Sequence, residues 1–178
     1  MKTRFRIITD EGTIFITSTI VEWLPVFTSK PYFDILIESL AFCRQHKALK
    51  LYAFVILDNH FHCILSSPNL QACITDLKRY TARRILDQLR ADRKEWLLNQ
   101  FAFFKKRHKN RSTYQVWQEG YHPQWIISEE MLINKIEYIH NNPVKRGLVS
   151  LPEHWLYSSA RSLVHGKPSV VELDEILL

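Results

Sequence analysis

Hydrophobic and polar positions change period several times along the chain, and each change marks an element. "GTIFITSTIV" (12–21) is dense in β-branched residues and predicts a strand. In "PYFDILIESLAFCRQHK" (31–47) apolar residues recur at helical spacing behind a proline suited to a first turn. "LYAFVIL" (51–57) is too short and too rich in β-branched and aromatic residues for a helix. Asp58 and Asn59 then supply turn chemistry before "HFHCILSS" (60–67), and the whole predicts a β-hairpin. From Leu70 to about Phe101 the pattern is one long, charged, amphipathic helix with no proline or glycine to break it. "STYQVWQEG" (112–120) predicts a further strand ended by Gly120. "SEEMLINKIEYIHNN" (128–142) has a serine cap, acidic residues in its first turn and a proline stop at Pro143, which together predict a helix.

Strand, helix, strand, strand, helix, strand, helix is the order of a small α+β domain, its helices covering one face of a mostly antiparallel sheet. A chain of 178 residues is about the size of one domain. The core is expected over about 12–147, with a C-terminal extension over about 148–178. The tail "SLVHGKPSVVELDEILL" is expected to dock as a short helix. No internal repeat or low-complexity segment is visible.

Composition narrows the chemistry. "MKTRFRIITDEG" is interrupted by charges before a signal-like apolar run develops, and nothing later approaches a membrane span, so a cytoplasmic protein with no membrane partner is expected. The three cysteines, Cys43, Cys63 and Cys73, form no C-x-x-C pair and read as buried small hydrophobes. Only four glycines occur, too few and too scattered for a phosphate-cradling loop, so no nucleotide cofactor is expected. A formal charge of +6 suits an anionic partner without naming it.

"LYAFVILDNHFHCILSSP" places His60 and His62 one residue apart in an apolar run. On a strand both imidazoles share a face while Phe61 and Cys63 take the other. Neighbouring imidazoles can converge on one divalent cation. A bare His-x-His pair can equally line a polar sheet face or hold backbone carbonyls, and two ligands make a poor site. A third ligand and a reactive group lie in "IEYIHNNPVKRG". On a helix Tyr138 and Asn142 stack four residues apart, with Lys135 on the same stripe, and Leu132, Ile136 and Ile139 form a separate apolar face. Asn142 offers an amide oxygen and Tyr138 a phenolic nucleophile. Asn142 precedes Pro143, which biases it away from helical angles. Tyr80, in "LKRYTARRI", is the competing nucleophile, without a potential ligand four residues away. His140 projects about 200° from Tyr138 on a helix, which weakens it as a ligand.

"DNHFH" followed by a basic helix, then "WQEGYHPQWI", "YIHNNPVKRGLV" and "PEHWLYSSA", resembles the REP-associated tyrosine transposases, a branch of the single-tyrosine HUH (His-hydrophobic-His) transposases. The resemblance spans roughly residues 12–160. It implies a ferredoxin-like sheet carrying the histidines, with the tyrosine on a helix laid across it. It further implies that His60 and His62 bind a divalent cation, that Asn142 is the third ligand, and that Tyr138 attacks a DNA phosphodiester to leave a covalent phosphotyrosine. Histidines alone would suggest zinc. The family uses Mg2+ or Mn2+, in keeping with a shell completed by phosphate and water oxygens. The wider superfamily carries glutamine four residues after the tyrosine; the asparagine here matches the REP-associated branch and has a shorter reach. A monomer using its own tyrosine is expected, with a dimer as the alternative.

The implied activity is that of a single-stranded DNA endonuclease and strand transferase cutting near a hairpin. Basic clusters then acquire a use: Lys78, Arg79, Arg83 and Arg84 in one, Lys105, Lys106, Arg107, Lys109 and Arg111 in the other, with Lys135 near the tyrosine. As solvated charge runs they would be unremarked. Beside a phosphodiester site they suit a DNA backbone, and Phe103, Phe104 and Tyr114 could stack unpaired bases. Two other readings stand against this one: a non-catalytic nucleic-acid-binding module on the same scaffold, and a metal-dependent hydrolase of small phosphate compounds.

Overall fold

The computed structural model describes residues 12–175, so the charged opening segment and the last three residues of the tail lie outside the described residues. Four strands, β1 (Ile14–Thr19), β2 (Lys50–Ile56), β3 (His60–Ser66) and β4 (Gln124–Trp125), form an antiparallel sheet in the order β2-β3-β1-β4. With α1 (Lys30–His46) between β1 and β2 and α2 (Leu70–Ala91) after β3, this is the β-α-β-β-α-β arrangement of a ferredoxin-like fold.

Alternation along the strands explains the layering. Ile14, Ile16, Phe61, Cys63 and Leu65 point to the face covered by α1 and α2, where they join the larger core with Leu36, Leu40 and Leu77. Phe15, Ala53, Val55 and Ile64 point the other way, and α4 (Glu129–Lys145) covers them with Leu132 and Ile139. The expected helical layer on one face is present. The expectation omitted α4 on the second face, which is where the tyrosine-bearing helix crosses the sheet.

Three elements depart from the sequence expectation. The long helix ends at Ala91 and resumes as α3 (Glu95–Phe103). Arg93 takes a left-handed φ of 53°, and the Lys94 amide donates back to the Leu89 carbonyl, a helix stop made without glycine. The gain is that Leu97, Leu98 and Phe101 turn into the core. The strand expected over 112–120 reduces to a single bridge, Trp117 to Ile20, and the ladder resumes only at β4. Positive φ at Gly120 and His122 bends the chain between them. Pro143 does not stop α4. It sits inside the last turn, where one lost N–H is tolerable, and the helix closes beyond it with Gly147 at φ 69° and bonds from Gly147 and Leu148 to the Val144 and Pro143 carbonyls.

The C-terminal extension covers the free edge of β2. The Ile56 amide donates to the Tyr157 carbonyl, Ser159 to Phe54, and Asp174 to Leu51. The helix expected in the tail is confined to α5 (Ala160–His165); beyond Gly166 the chain runs on as a strap held by Arg44 to Glu172 and Asp174. All three cysteines are buried. No helix among the described residues is long and apolar enough to cross a membrane.

Candidate active site

β3 pairs with β1 so that His62 faces Thr17 and His60 faces Thr19, on the side covered by α4. The two imidazole centroids are 4.8 Å apart. Each ring is fixed through Nδ1. Thr17 Oγ1 lies 2.8 Å from His62 Nδ1, and Asn59 Oδ1 lies 2.6 Å from His60 Nδ1. The Asn59 amide nitrogen donates to the Trp23 carbonyl at 3.0 Å, so its oxygen must be the atom facing His60. An oxygen acceptor requires the proton on His60 Nδ1 and leaves Nε2 with a free lone pair. The turn that carries Asn59 is clamped by Arg146, whose guanidinium meets Asp58 Oδ1 at 2.6 Å and Asn59 Oδ1 at 3.3 Å.

His62 Nε2 is buried and has no hydrogen-bond partner among the described residues. An orphaned imidazole nitrogen is costly in a folded interior unless something binds it. Burial, then the Arg146 charge, pushes the His60 pKa down to about 4, against an opposing pull from Asp58. Burial, then His60 and Lys135, pushes that of His62 down to about 3. Both rings are therefore neutral at physiological pH, the form that can ligate a metal. Among the described residues no group of three or more His, Cys, Asp and Glu side chains converges. Asn142 is buried on α4, one turn beyond Tyr138.

Tyr138 projects from α4 over this pair. Its ring centroid is 5.2 Å from that of His62 and 6.0 Å from that of Phe15. Lys135 and Lys145 flank it, with Nζ 5.9 and 5.7 Å from the ring centroid, and the side chain remains open to solvent. Tyr80, by contrast, is on α2, the helix of the opposite face, where it accepts a hydrogen bond from Arg84 at 3.0 Å. His140 turns away to bond Ser159 Oγ at 2.9 Å.

The basic residues divide. Lys78, Arg79, Arg83, Lys109 and Arg111 line a groove of about 1200 Å3 between α2 and residues 108–121. Lys78 is spent on structure, its ammonium donating to the Gln118 and Gly120 carbonyls. Arg79 pairs with Asp76, and Lys106 and Lys109 pair with Glu119. Lys105 donates to the Lys109 carbonyl. Arg83, Arg107 and Arg111 are exposed and make no ion pair among the described residues. Arg84 and Lys105–Arg107 lie outside the groove lining, and Lys135 belongs to the tyrosine's surroundings. Phe103 and Phe104 pack edge to face at the end of α3, and Tyr114 lies under Arg90.

Sequence reasoning missed Thr17, Asn59, Phe15, Trp23, Lys145 and Arg146. Lys145 was within reach, seven residues after Tyr138 and so on the same helix stripe. Thr17 and Phe15 depend on the β1–β3 register, which no local pattern specifies.

An α+β domain with a ferredoxin-like sheet, two neutral histidines on one face and a solvent-facing tyrosine helix above them is the class that fold and geometry define. No family model matches the sequence. A curated protein of Haemophilus influenzae named "Putative REP-associated tyrosine transposase" is 29% identical over 119 residues, 65% of this chain; the match spans 61% of that protein's length. A solved structure of a REP-associated tyrosine transposase bound to a REP hairpin superposes with a TM-score of 0.61 at 18% identity, covering 100% of this chain and 94% of that one. The chain thus resembles the REP-associated tyrosine transposases in sequence, and it shares their fold.

Proposed function

We propose that the protein is a tyrosine transposase that cuts and rejoins single-stranded DNA beside a hairpin. The observation that carries this is the placement of Tyr138 over His62, whose Nε2 is buried and without a partner among the described residues. The likeness to a relative named as a REP-associated tyrosine transposase, and to a solved one bound to a REP hairpin, supports the choice of substrate.

In the proposed step the Tyr138 phenolic oxygen attacks phosphorus, the bond to the 3′ oxygen breaks, and the phenolic proton passes in net to that departing oxygen. The products are a 5′-phosphotyrosine and a free 3′ hydroxyl. No water enters, so the bond energy is retained and the reverse attack by a 3′ hydroxyl rejoins strands. Rigid α4 sets the approach of the phenol, and Lys135 and Lys145 place positive charge where phosphate oxygens must sit. His60 and His62 through Nε2, with the Asn142 amide oxygen, are the residues that would hold a divalent ion. Bound there, Mg2+ or Mn2+ would supply Lewis-acid polarisation of the scissile phosphate. Asn59 keeps the His60 ring in the required tautomer, and Thr17 orients the His62 ring.

The groove along α2, with Arg79, Arg83 and Arg111 on its walls, would take the DNA backbone, and Lys78 would hold that wall in place. We place the protein in the cytoplasm, acting as a monomer. The test is incubation of 3′-end-labelled hairpin DNA with protein and Mg2+ or Mn2+, followed by denaturing electrophoresis. Labelled protein is expected from the wild type and from Tyr80→Phe, and none from Tyr138→Phe. A protein that binds the DNA yet never becomes labelled would instead be a binding module.

A further inference from the structure

We infer that Trp23 is a stacking platform for a nucleobase of the strand being cut, at or next to the scissile phosphate. The inference rests on the proposed DNA-cleaving role of the His60–His62–Tyr138 site and adds a contact to it. Trp23 leaves 55% of its surface in water. Its ring centroid is 5.3 Å from that of His60, in an edge arrangement at 74°. A base resting on this indole would belong to a nucleotide whose phosphate lies beside the histidines.

The backbone is held to make this display. Glu22 and Trp23 both occupy the left-handed region, at φ 51° and 55°, and neither is glycine. Such residues store strain and persist only where the surroundings over-determine them. Here they are over-determined. The Trp23 amide donates to Ile20, Leu24 to Val21, and Val26 and Phe27 both to Asp58, while the Asn59 amide takes the Trp23 carbonyl. Val21 and Leu24 anchor the turn in the core on either side. Asn59 bonds both the Trp23 backbone carbonyl and the His60 ring, so one side chain ties the turn that carries the indole to the imidazole.

The ligand class follows from the surface: an exposed aromatic face beside the proposed cleavage site suits a base of unpaired DNA. Base–aromatic stacking tolerates every base, since each has a π-face. Trp23 should therefore strengthen binding of the flanking strand without dictating its sequence.

The probe is a DNA hairpin with short single-stranded flanks of randomised sequence, compared with the same hairpin lacking flanks. Trp23→Ala should bind the flanked hairpin about tenfold more weakly, bind the bare hairpin unchanged, and form less covalent adduct, while Trp23→Phe should keep most of the wild-type affinity. With 5-iodouracil in the flanks and uncut DNA on the Tyr138→Phe protein, irradiation should attach DNA to the peptide containing Trp23. If the wild type forms adduct while Trp23→Ala matches it in flank affinity and the crosslinks map elsewhere, the stacking role is wrong and the cleavage reading survives. If the wild type neither binds nor cuts the flanked hairpin, the cleavage reading falls and this contact falls with it.

Discussion

The ring of Tyr138 lies 5.2 Å from the ring of His62, inclined by 70°, within one chain. No second copy is needed to bring the phenol to the imidazoles. On the proposed mechanism, mixing His60→Ala/His62→Ala protein with Tyr138→Phe protein should restore no DNA adduct, because neither chain lends its missing part to the other. Recovery of adduct in the mixture, read on a denaturing gel, would show that the tyrosine helix is exchanged between chains.

Thr17 makes a sharper probe of metal binding than the ligands themselves. Its hydroxyl is the partner of His62 Nδ1, and removing an orienting contact of this kind costs about 10–100-fold in metal affinity. Calorimetric titration with Mn2+ should show that loss in Thr17→Val and no measurable binding in His60→Ala/His62→Ala. Unchanged affinity in the double variant would discard the histidine site.

Part of this geometry was legible in the sequence. Strand alternation alone put both histidines on one face, and helix spacing turned Leu132 and Ile139 inward on the helix that carries Tyr138. The contacts that orient the histidines were not legible. Thr17 meets His62 only through a strand register fixed by long-range packing, and Arg146 reaches Asp58 across 88 positions of sequence. Local signals also misled where tertiary contacts prevailed. Arg93 stops a helix without glycine because Leu97 and Phe101 gain the core by turning, and Pro143 rides within a helix because it falls in the last turn.

The groove makes an electrostatic prediction. Arg83 and Arg111 line it without ion-pair partners among the described residues, whereas Lys106 is engaged by Glu119 at 2.8 Å. Arg83→Glu with Arg111→Glu should weaken hairpin DNA binding for all sequences, by more than Lys106→Glu does, and should flatten the dependence of log affinity on log salt. Each neutralised phosphate contributes a slope of roughly −0.7 to −0.9. Fluorescence anisotropy across a salt series measures it, and a wild-type slope near zero would exclude a backbone-dominated interface.

Glu119 clasps the basic segment, with Lys106 at 2.8 Å and His108 Nε2 at 2.6 Å. Those two hydrogen bonds hold its pKa down to about 2. Because the folded value lies below the ordinary glutamate value of 4.5, the unfolded state binds more protons between these limits. The clasp is therefore at full strength above about pH 4.5 and weakens as pH falls toward 2. Glu119→Gln should make the stretch from Lys105 to Arg111 several-fold more sensitive to trypsin at neutral pH. Equal cleavage rates in wild type and variant would show that the clasp does not restrain the segment.

The nucleophile itself is the central claim. The direct measurement is mass spectrometry of protease-digested wild-type protein after reaction with hairpin DNA and Mn2+, locating the residue that carries the nucleotide. The account predicts a phosphodiester on Tyr138, with Tyr80 unmodified. A nucleotide on Tyr80, or strand cleavage with no tyrosine modified, would contradict it.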